Sequence, residues 1–360
     1  DDVLGYIPFV RSAPAPGTGV TTPRQQVNSN SSYIDAWPVY GGTTARLDWL
    51  RAGKVDGNPA NNKARLLLPH GYLPRATARG NASTSPPMEV DGLLRAKPGH
   101  RIVAGDVRAN ENLFLTATHT LFAREHNRIV AALPASLSEQ DKFDIARKVI
   151  IAEQQYITYT QWLPAMGVPL PAYAGYNANV DASISNEFAT VGYRAHSQIH
   201  GEMEVEADAG HYGKAQLNAF RARRLEIKTA SGKVTVVVPL NQAFFNPDLV
   251  PALGLGPLLK AVSHEAQYKN DEMIDNQLRS VLFRTPVARN RDCLDGTTLH
   301  QCFNTVTDLG ATDIERGRDH GMPSYNQLRQ AYGLPARTSF TQITGETSSA
   351  FPPGTGIDSR

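Results

Sequence analysis

The sequence predicts a mainly α fold, in which a helical core is surrounded by long ordered loops and carries one small β-hairpin. Two segments with apolar residues at helical spacing, 104–131 and 138–163, indicate the core helices. Two β-branched runs around a Ser-Gly turn within 223–240 indicate the hairpin. Neither an internal repeat nor a linker divides the 360 residues, so we expect one domain over 1–360.

The segments on either side of those helices complete the predicted order of elements. Residues 1–100 are rich in Pro, Gly, Asn and Ser, which predicts loops with short helices, and loops of this length usually surround a functional site. Asp106 is a candidate N-cap for a helix that starts near residue 107. Further helices are expected around 183–198, in 269–283 and after Pro323.

Composition excludes several classes of function. The 36 basic and 34 acidic residues give a formal charge of +2 without long runs of either sign, so nucleic acid and anionic membranes are not expected partners. No apolar stretch reaches the ~18 residues of a membrane span. Cys293 and Cys302 are spaced to close a small disulfide loop, and sequons at Asn30 and Asn81 also favour a secreted protein.

Arg108 and Glu111 are three residues apart, which would place them on one face of the first turn of a helix. On an arbitrary helix, such a pair is an exposed ion pair that contributes a few tenths of a kcal/mol, on the order of 0.3. A functional role for the pair therefore depends on the rest of the chain.

Two later stretches contain residue types that a haem iron uses. His196 follows a helical run in "SNEFATVGYRAHSQIHGEMEV", and Asn326 and Arg329 share one turn in "ERGRDHGMPSYNQLRQAYGLP". An iron-bound imidazole needs a hydrogen-bond acceptor on its other nitrogen, which an Asn carbonyl can be, and Arg can pair with a haem propionate. Singly, each residue has a more common structural role.

Taken together, these motifs resemble a known family. "AGDVRANEN" with "HTLFAREHNRI", then "NEFAT" with the following His, then "RGRDHGMPSYNQLR" are similar, in this order, to the animal haem peroxidase (peroxidase-cyclooxygenase) superfamily. The segment "SSYIDAWPVYGG" resembles the loop that precedes them. The resemblance covers essentially all 360 residues and implies the mainly α peroxidase fold with a haem b cofactor.

The resemblance implies a role for each of five residues. Arg108 matches the distal arginine, which polarises bound peroxide, and Glu111 matches the glutamate that forms an ester with a haem methyl group. His196 matches the proximal iron ligand. Asn326 matches the hydrogen-bond partner of that ligand, and Arg329 matches a propionate partner.

The same resemblance implies a calcium site. It makes the Ser31 hydroxyl, the Tyr33 carbonyl and the Asp35 carboxylate candidate ligands, and a hard oxygen set suits calcium. Trp37 stands where the family usually has Ser, and its side chain offers no oxygen. Calcium binding is therefore an open expectation.

One part of the family pattern is missing. Family members place the distal His, beside a calcium-binding Asp, in a segment that reads like "WGQ...DHD", and none of the ten histidines here has that context. We therefore expect this chain to be the central portion of a catalytic domain whose C-terminal helices also lie outside it. A second polypeptide of the same precursor, or a further segment, would supply the distal His.

The resemblance implies a secreted haem peroxidase that reduces hydrogen peroxide and oxidises iodide, thiocyanate, bromide or phenols. Asn112 stands where the strongest chloride oxidisers of the family have a Met that forms a sulfonium bond to haem, so chloride is not the expected substrate. The enzymatic alternative is a fatty-acid dioxygenase, because Tyr193 lies three residues before His196 as in that branch. Ala195 replaces the usual dioxygenase tryptophan, and the Arg108 and Glu111 pair resembles the peroxidase branch. The non-enzymatic alternative is a matrix or adhesion protein on a peroxidase fold.

Overall fold

A computed structural model describes residues 9–271, 273–282, 284 and 307–345 of the chain. The α-helices are α1 Trp37–Tyr40, α2 Thr44–Leu50, α3 Leu113–Ala132, α4 Glu139–Tyr156, α5 Leu163–Ala165, α6 Lys214–Ala222, α7 Leu240–Ala243, α8 Leu249–Leu253, α9 Leu255–His264, α10 Asn276–Ser280, α11 Leu309–Asp319, α12 Tyr325–Ala331 and α13 Thr341–Thr344. The strands are β1 Glu202–Asp208, β2 Glu226–Ala230 and β3 Lys233–Pro239.

Single helical turns of other types join these elements. The 3₁₀ turns are Pro59–Asn61, Pro69–Gly71, Ala76–Arg79, Ala82–Thr84, Gly92–Ala96, Pro98–His100 and His196–Gln198, and the π-helical turns are Ile157–Trp162 and Phe188–Gly192. Asn58 and Asn81 cap two of these turns through their side-chain oxygens. The described part of the first hundred residues therefore has the loops and short helices that its composition predicts.

Helix α3 begins six residues later than the sequence predicted. Its N-cap is Asn112, whose Oδ1 accepts the Leu115 N–H at 2.9 Å. Asp106, the expected cap, instead accepts the Arg108 N–H at 2.8 Å within a turn that precedes the helix. The prediction of a start near residue 107 was wrong because two capping side chains lie close together, and the second one starts the helix.

The predicted hairpin is formed by β2 and β3, and its turn has the expected chemistry. Ser231 and Gly232 both have positive φ, 53° and 75°, as a two-residue type I′ turn requires. Strand β1, which the sequence analysis missed, pairs antiparallel with β3 and gives the order β1-β3-β2. The alternation in "EMEVEAD" is the pattern that predicts it, since its Met, Val and Ala side chains are buried.

Two predicted helices are shorter than expected. The segment 183–198 contains the π turn Phe188–Gly192 and the 3₁₀ turn His196–Gln198, and the segment 269–283 contains only α10 among its described residues. The expected disulfide between Cys293 and Cys302 lies outside the described residues.

Helix α3 lies between two hydrophobic clusters. Its first half, with Leu113 and Ala117, belongs to the cluster built on the sheet and on α8 and α9, and its second half, with Ala123 and Ile129, belongs to the cluster built on α1, α2 and α4. Burial on both sides fixes the position of the helix and of the segment that leads into it. No helix in the described ranges is both long enough and apolar enough to cross a membrane.

Candidate functional site

The segment 106–112, which leads into α3, is fixed by contacts to its neighbours. The Asn110 side chain exchanges two hydrogen bonds with the backbone of Ile102, at 2.9 and 3.0 Å. The Thr116 hydroxyl donates to the Ala109 carbonyl at 2.7 Å. These contacts hold the segment without helical geometry, so Arg108 and Glu111 protrude from a turn rather than from a helix face.

Gly105 brings this segment against the loop that contains the expected calcium ligands. Its N–H donates to the Pro38 carbonyl at 3.0 Å, and a Cβ at this position would lie 2.2 Å from the carbonyl oxygen of Trp37. Only glycine permits so close an approach of two backbones. The loop 31–37 and Arg108 are therefore neighbours in the fold.

Arg108 is held by Asp106 in a two-pronged ion pair. Its Nε and Nη2 donate to the two carboxylate oxygens at 2.9 and 2.6 Å. Burial alone would raise the pKa of Asp106, but the hydrogen bonds and charge of Arg108 outweigh it and lower that pKa. The same hydrogen bonding raises the pKa of Arg108. The pair therefore presents a fixed, permanently charged guanidinium.

Glu111 is a partly desolvated carboxyl beside this guanidinium. Burial raises its pKa, the charge of Glu89 raises it further, and the charges of Arg108 and Arg194 oppose the rise. The Glu111 N–H donates to the Arg108 carbonyl at 2.7 Å. The structure thus brings Arg108 and Glu111 together, and it also places the charge of Arg194, two residues before His196, close to Glu111.

His196 lies on a 3₁₀ turn and pairs with a carboxylate. Its Nδ1 is 2.5 Å from Oδ2 of Asp313 on α11, and its side chain is 18% exposed. Arg316 donates to the other oxygen of Asp313. Burial acts to raise the pKa of Asp313, but its bonds to His196 and Arg316 lower that pKa overall. Nε2 of His196 makes no hydrogen bond within the described ranges, so it is free to bind a ligand.

The expected partner of His196 lies elsewhere in the structure. The Asn326 side chain exchanges two hydrogen bonds with the backbone of Arg337, at 2.7 and 2.8 Å. Arg329 donates from Nε to the Pro335 carbonyl at 2.7 Å. Both side chains therefore fasten the loop that follows α12, and the structure does not bring them to His196. The side chain that the structure places against Nδ1 of His196 is that of Asp313, where the sequence analysis expected Asn326.

Tyr193 connects the His196 segment to Arg108. Its ring lies 4.7 Å from the Arg194 guanidinium carbon and 5.7 Å from the centroid of the Phe188 ring. Its side chain lines the same cavity as Arg108. His320 at the end of α11 supports this segment, because its Nδ1 is 3.1 Å from the Thr190 hydroxyl.

A cavity of about 730 Å³ opens beside the Arg108 and Asp106 pair. Its lining includes Tyr193 and His320 on one side and residues of the loop 25–38 on the other. A volume of this size suits a ligand as large as a cofactor, since ligand pockets span roughly 300–1,000 Å³. Residues of the three stretches that the sequence singled out line this cavity, whereas Glu111, His196 and Asp313 do not.

The expected calcium ligands line the same cavity. The Ser31 Oγ accepts the Tyr33 N–H at 3.2 Å, and Asp35 Oδ1 accepts the Trp37 N–H at 3.1 Å. The ring of Trp37 lies over Gly42, where an added Cβ would collide with it at 1.8 Å. Across the described residues, no group of three or more His, Cys, Asp or Glu is arranged to hold a metal ion.

His200 is a second imidazole with a carboxylate partner. Its Nδ1 is 3.0 Å from Oε1 of Glu265, and its ring stacks on Tyr268 with centroids 3.8 Å apart. Its Nε2 is covered and makes no hydrogen bond to any described residue. The stacked ring leaves less room for a planar cofactor at Nε2 than the open Nε2 of His196 does.

Comparison with known proteins assigns the family. The family model described as animal haem peroxidase matches residues 2–351. The chain belongs to the animal haem peroxidase family. Human thyroid peroxidase is 32% identical over 353 residues, which cover 91% of this chain and 34% of that protein. Drosophila melanogaster peroxidasin is 31% identical over 362 residues, which cover 96% of this chain and 21% of that protein.

A solved peroxidase structure has the same fold. Peroxidase A from Dictyostelium discoideum superposes with a TM-score of 0.70 at 26% identity, over 98% of this chain and 62% of that one. The mainly α haem peroxidase fold is thereby confirmed. The chain spans only about a third or a fifth of the length of the relatives named above, so the activity of the whole protein is a matter for proposal.

The family implies haem, and the residues of the site fit that group. The carboxylate of Asp313 accepts the Nδ1–H of His196, so Nε2 is the ring nitrogen that would bind iron. Arg194, whose pKa is lowered by burial, is a cation that a haem propionate would neutralise. The sequence analysis missed Asp313, although the i,i+3 pair with Arg316 in "TDIERGRD" marks it as a helix-borne carboxylate.

Proposed function

We propose that this chain forms the haem-binding and peroxide-activating centre of a haem peroxidase. The observation that carries the proposal is the His196 and Asp313 pair, because a carboxylate on the other ring nitrogen orients an imidazole that binds a metal. When bound, haem supplies an iron that accepts peroxide and passes on its oxidising equivalents. In this proposal, the side chains of this chain hold the haem, polarise the peroxide and stabilise the charge that develops.

Arg108 polarises peroxide and stabilises the charge that develops as its O–O bond breaks. Because Asp106 fixes its guanidinium at 2.6 and 2.9 Å, little reorganisation is needed when that charge appears. Glu111 is the carboxyl that we propose to be esterified to a haem methyl group. Its raised pKa, which burial causes, means that the free carboxylate is poorly stabilised in this site.

The reducing substrates that we propose are iodide, thiocyanate, bromide or a phenol. Arg108 and Arg194 give the site the positive charges that attract small anions, while Asp106, Glu111 and Glu89 oppose them. Asn112 cannot form a sulfonium bond, and the structure gives it a different role as the N-cap of α3. We therefore place chloride below bromide as a substrate.

A fatty-acid dioxygenase is the second candidate function, and Tyr193 favours it. This tyrosine lines the cavity beside Arg108 and precedes His196 by three residues. The Arg108 and Asp106 pair favours the peroxidase, since a fixed cation serves O–O cleavage. A non-catalytic matrix or adhesion protein would need no haem, and haem content separates it from both enzymes.

Three further properties remain proposals. We propose secretion, a calcium ion held by Ser31, Tyr33 and Asp35, and a distal His supplied by another segment or a second polypeptide of the same precursor. The calcium proposal is supported by the cavity, whose lining includes all three residues. Removal of calcium by a chelator should lower thermal stability in the wild type and change nothing in Asp35→Asn.

The test of the proposed function is a spectrum and an assay on the haem-loaded protein. We expect hydrogen peroxide to change the haem spectrum, with turnover of iodide, bromide, thiocyanate and a phenol. Arg108→Lys keeps the charge but loses the two-pronged pairing, and should lower the peroxide rate by about 100-fold. Oxygen uptake with a polyunsaturated fatty acid that is abolished in Tyr193→Phe, without halide turnover, would replace the peroxidase by the dioxygenase.

A further inference from the structure

His320, at the C-terminal end of α11, makes a side-chain contact through each of its ring nitrogens. Its Nδ1 lies 3.1 Å from Oγ1 of Thr190, which belongs to the π turn Phe188–Gly192. Its Nε2 lies 2.8 Å from Oγ of Ser12, which is 308 residues earlier in the chain. His320 also lines the cavity beside Arg108. The ring therefore joins the N-terminal segment to the π turn at a wall of that cavity.

The Asn186 side chain determines the direction of these hydrogen bonds. Its Nδ2 donates to the backbone carbonyl of His320 at 2.9 Å, and its Oδ1 is therefore the atom that faces Thr190 at 3.1 Å. An amide oxygen only accepts, so the single hydroxyl proton of Thr190 points to Asn186. The Thr190 oxygen has no proton left for His320 and can only accept from it. Nδ1 of His320 therefore carries a proton.

The other nitrogen of the ring has a donor as its partner. Burial lowers the pKa of His320, so at pH 7 the ring carries a single proton, which is the one on Nδ1. Nε2 is then an acceptor, to which the Ser12 hydroxyl donates. Asp319 holds Ser12 in place, because its Oδ2 accepts the Ser12 N–H at 3.0 Å and its carboxylate pairs with Arg11 and Arg24. The two partners together favour one tautomer of the ring.

Thr190 connects this ring to Arg194. The backbone carbonyl of Thr190 accepts from Nε of Arg194 at 2.9 Å, and that of Ala189 accepts from Nη2 at 3.2 Å. The position of the guanidinium therefore depends on where the π turn lies. Thr190 is fully buried, and His320 and Asn186 both bond its hydroxyl, which restricts the movement of that turn.

We propose that His320 is a positioning residue, whose Nδ1–H holds Thr190 and thereby the guanidinium of Arg194, and that Ser12 stabilises the tautomer that this requires. Arg194 is the cation that a haem propionate would neutralise, so His320 acts on the haem site without bonding to the haem. The contact between Arg194 and haem rests on the proposed function, whereas the positioning itself does not need haem.

The tautomer can be measured by ¹⁵N NMR on the full chain with labelled histidine. We expect Nδ1 of His320 to resonate as a protonated nitrogen and Nε2 as an unprotonated one that accepts a hydrogen bond. In Ser12→Ala, the Nε2 resonance should move towards that of a nitrogen without a hydrogen bond, while Nδ1 stays protonated. A proton on Nε2 in the wild type would overturn the proposal, and so would an unchanged Nε2 resonance in Ser12→Ala.

The matched variants His320→Asn and His320→Gln test the positioning. The side-chain nitrogen of Asn reaches the place of Nδ1 and can donate to Thr190, whereas the amide of Gln reaches only the place of Nε2. Hydrogen exchange of the Arg194 Nε–H, measured by NMR on the full chain, should be within about 2-fold of wild type in His320→Asn and about 10-fold faster in His320→Gln. Equal exchange in the two variants, at equal stability, would overturn the proposal.

A second pair of variants covers the case in which a His320 variant fails to fold. Thr190→Ser keeps the hydroxyl that accepts from His320, and Thr190→Val keeps the shape of the side chain without the hydroxyl. Exchange of the Arg194 Nε–H should stay near that of wild type in Thr190→Ser and be about 10-fold faster in Thr190→Val. The same exchange rate in both would contradict the role of the hydroxyl.

Haem loading separates this inference from the proposed function. Haem should dissociate about 10-fold faster from His320→Gln than from His320→Asn, because Arg194 is then less well placed for a propionate. If the exchange rates differ as expected and haem dissociates equally from both variants, the proposed role of Arg194 at haem fails while its positioning by His320 stands.

Discussion

His196 Nδ1 and Asp313 Oδ2 lie 2.5 Å apart, which makes a carboxylate the partner of the proposed haem ligand. A carboxylate draws the Nδ1 proton away from the ring more strongly than a neutral amide does. The ring then donates more electron density through Nε2. The redox potential of the bound iron should reflect this partner.

The partner of His196 can be tested by exchanging a charge for an amide. We expect Asp313→Asn to raise the iron reduction potential by roughly 60 mV, which is a tenfold change for one electron. Asn326→Ala serves as the comparison, because its side chain bonds the backbone of Arg337 and should leave the potential unchanged. The opposite pattern in a spectroelectrochemical titration would return the role to Asn326.

The ester through Glu111 predicts how haem leaves the chain. Acidified organic extraction should leave haem on the wild type and release it from Glu111→Gln. Glu89→Gln is the matched control, because Glu89 is the neighbouring carboxylate whose charge acts on Glu111 and it should not be needed for the bond. Free extraction of haem from the wild type would rule out the ester.

Asn112 caps α3 and has no sulfur atom, and from these two properties we predict an effect on stability and a halide preference. Asn112→Met should lose about 1 kcal/mol of stability, because the cap of α3 disappears, and should gain chloride oxidation relative to bromide if a sulfonium bond forms. Asn112→Ser keeps a capping oxygen and supplies no sulfonium sulfur, so both properties should stay near wild type. Wild-type oxidation of chloride as fast as bromide at neutral pH would contradict the argument.

His126 predicts a loss of stability in acid that does not involve haem. The ring is buried between Tyr40, whose hydroxyl lies 2.8 Å from Nδ1, and the Ala64 carbonyl, 2.9 Å from Nε2. Burial lowers its pKa to about 4. In the unfolded chain, this ring binds a proton with a pKa near 6.5. The contribution of the buried, neutral His126 to the free energy of unfolding is therefore complete above pH 6.5. As the pH falls towards 4, about 3 kcal/mol of that free energy is lost.

Urea unfolding of the haem-free chain at several pH values measures this effect. In His126→Gln, which cannot titrate, the change in unfolding free energy between pH 6.5 and 4 should be smaller than in wild type by about 3 kcal/mol. An unchanged pH dependence would show that His126 is not held neutral in the fold.

Local patterns in the sequence predicted much of the fold. Residues close together in the sequence determine the helical spacing of α4, in which Phe143, Ala146 and Ile150 are buried. They also determine the Ser-Gly turn of the hairpin. The start of α3 was misplaced because Asp106 and Asn112 are both good caps, and tertiary contacts decide between them. Strand β1 was missed because its pairing with β3 is distant in sequence, although its alternation was present.

The sequence predicted the site residues that belong to recognisable motifs. It did not predict contacts between side chains that are distant in sequence. Arg108, Glu111 and His196 come from motifs, and the structure places the charges of Arg108 and Glu111 near the His196 segment. The partner of His196 depends on how α11 packs against the turn at 196–198, and no local pattern encodes that contact. The sequence marks Asp313 as a carboxylate on a helix, but its contact with His196 was visible only in the fold.

The measurement that tests the central claim most directly is the absorption spectrum of ferrous haem on wild type, His196→Ala and His200→Ala. Both histidines have a carboxylate on Nδ1, at 2.5 Å for His196 and 3.0 Å for His200, so the pair is well matched. We predict that His196→Ala loses haem or changes the spectrum, while His200→Ala keeps that of wild type. A normal spectrum in His196→Ala with a changed one in His200→Ala would contradict the account.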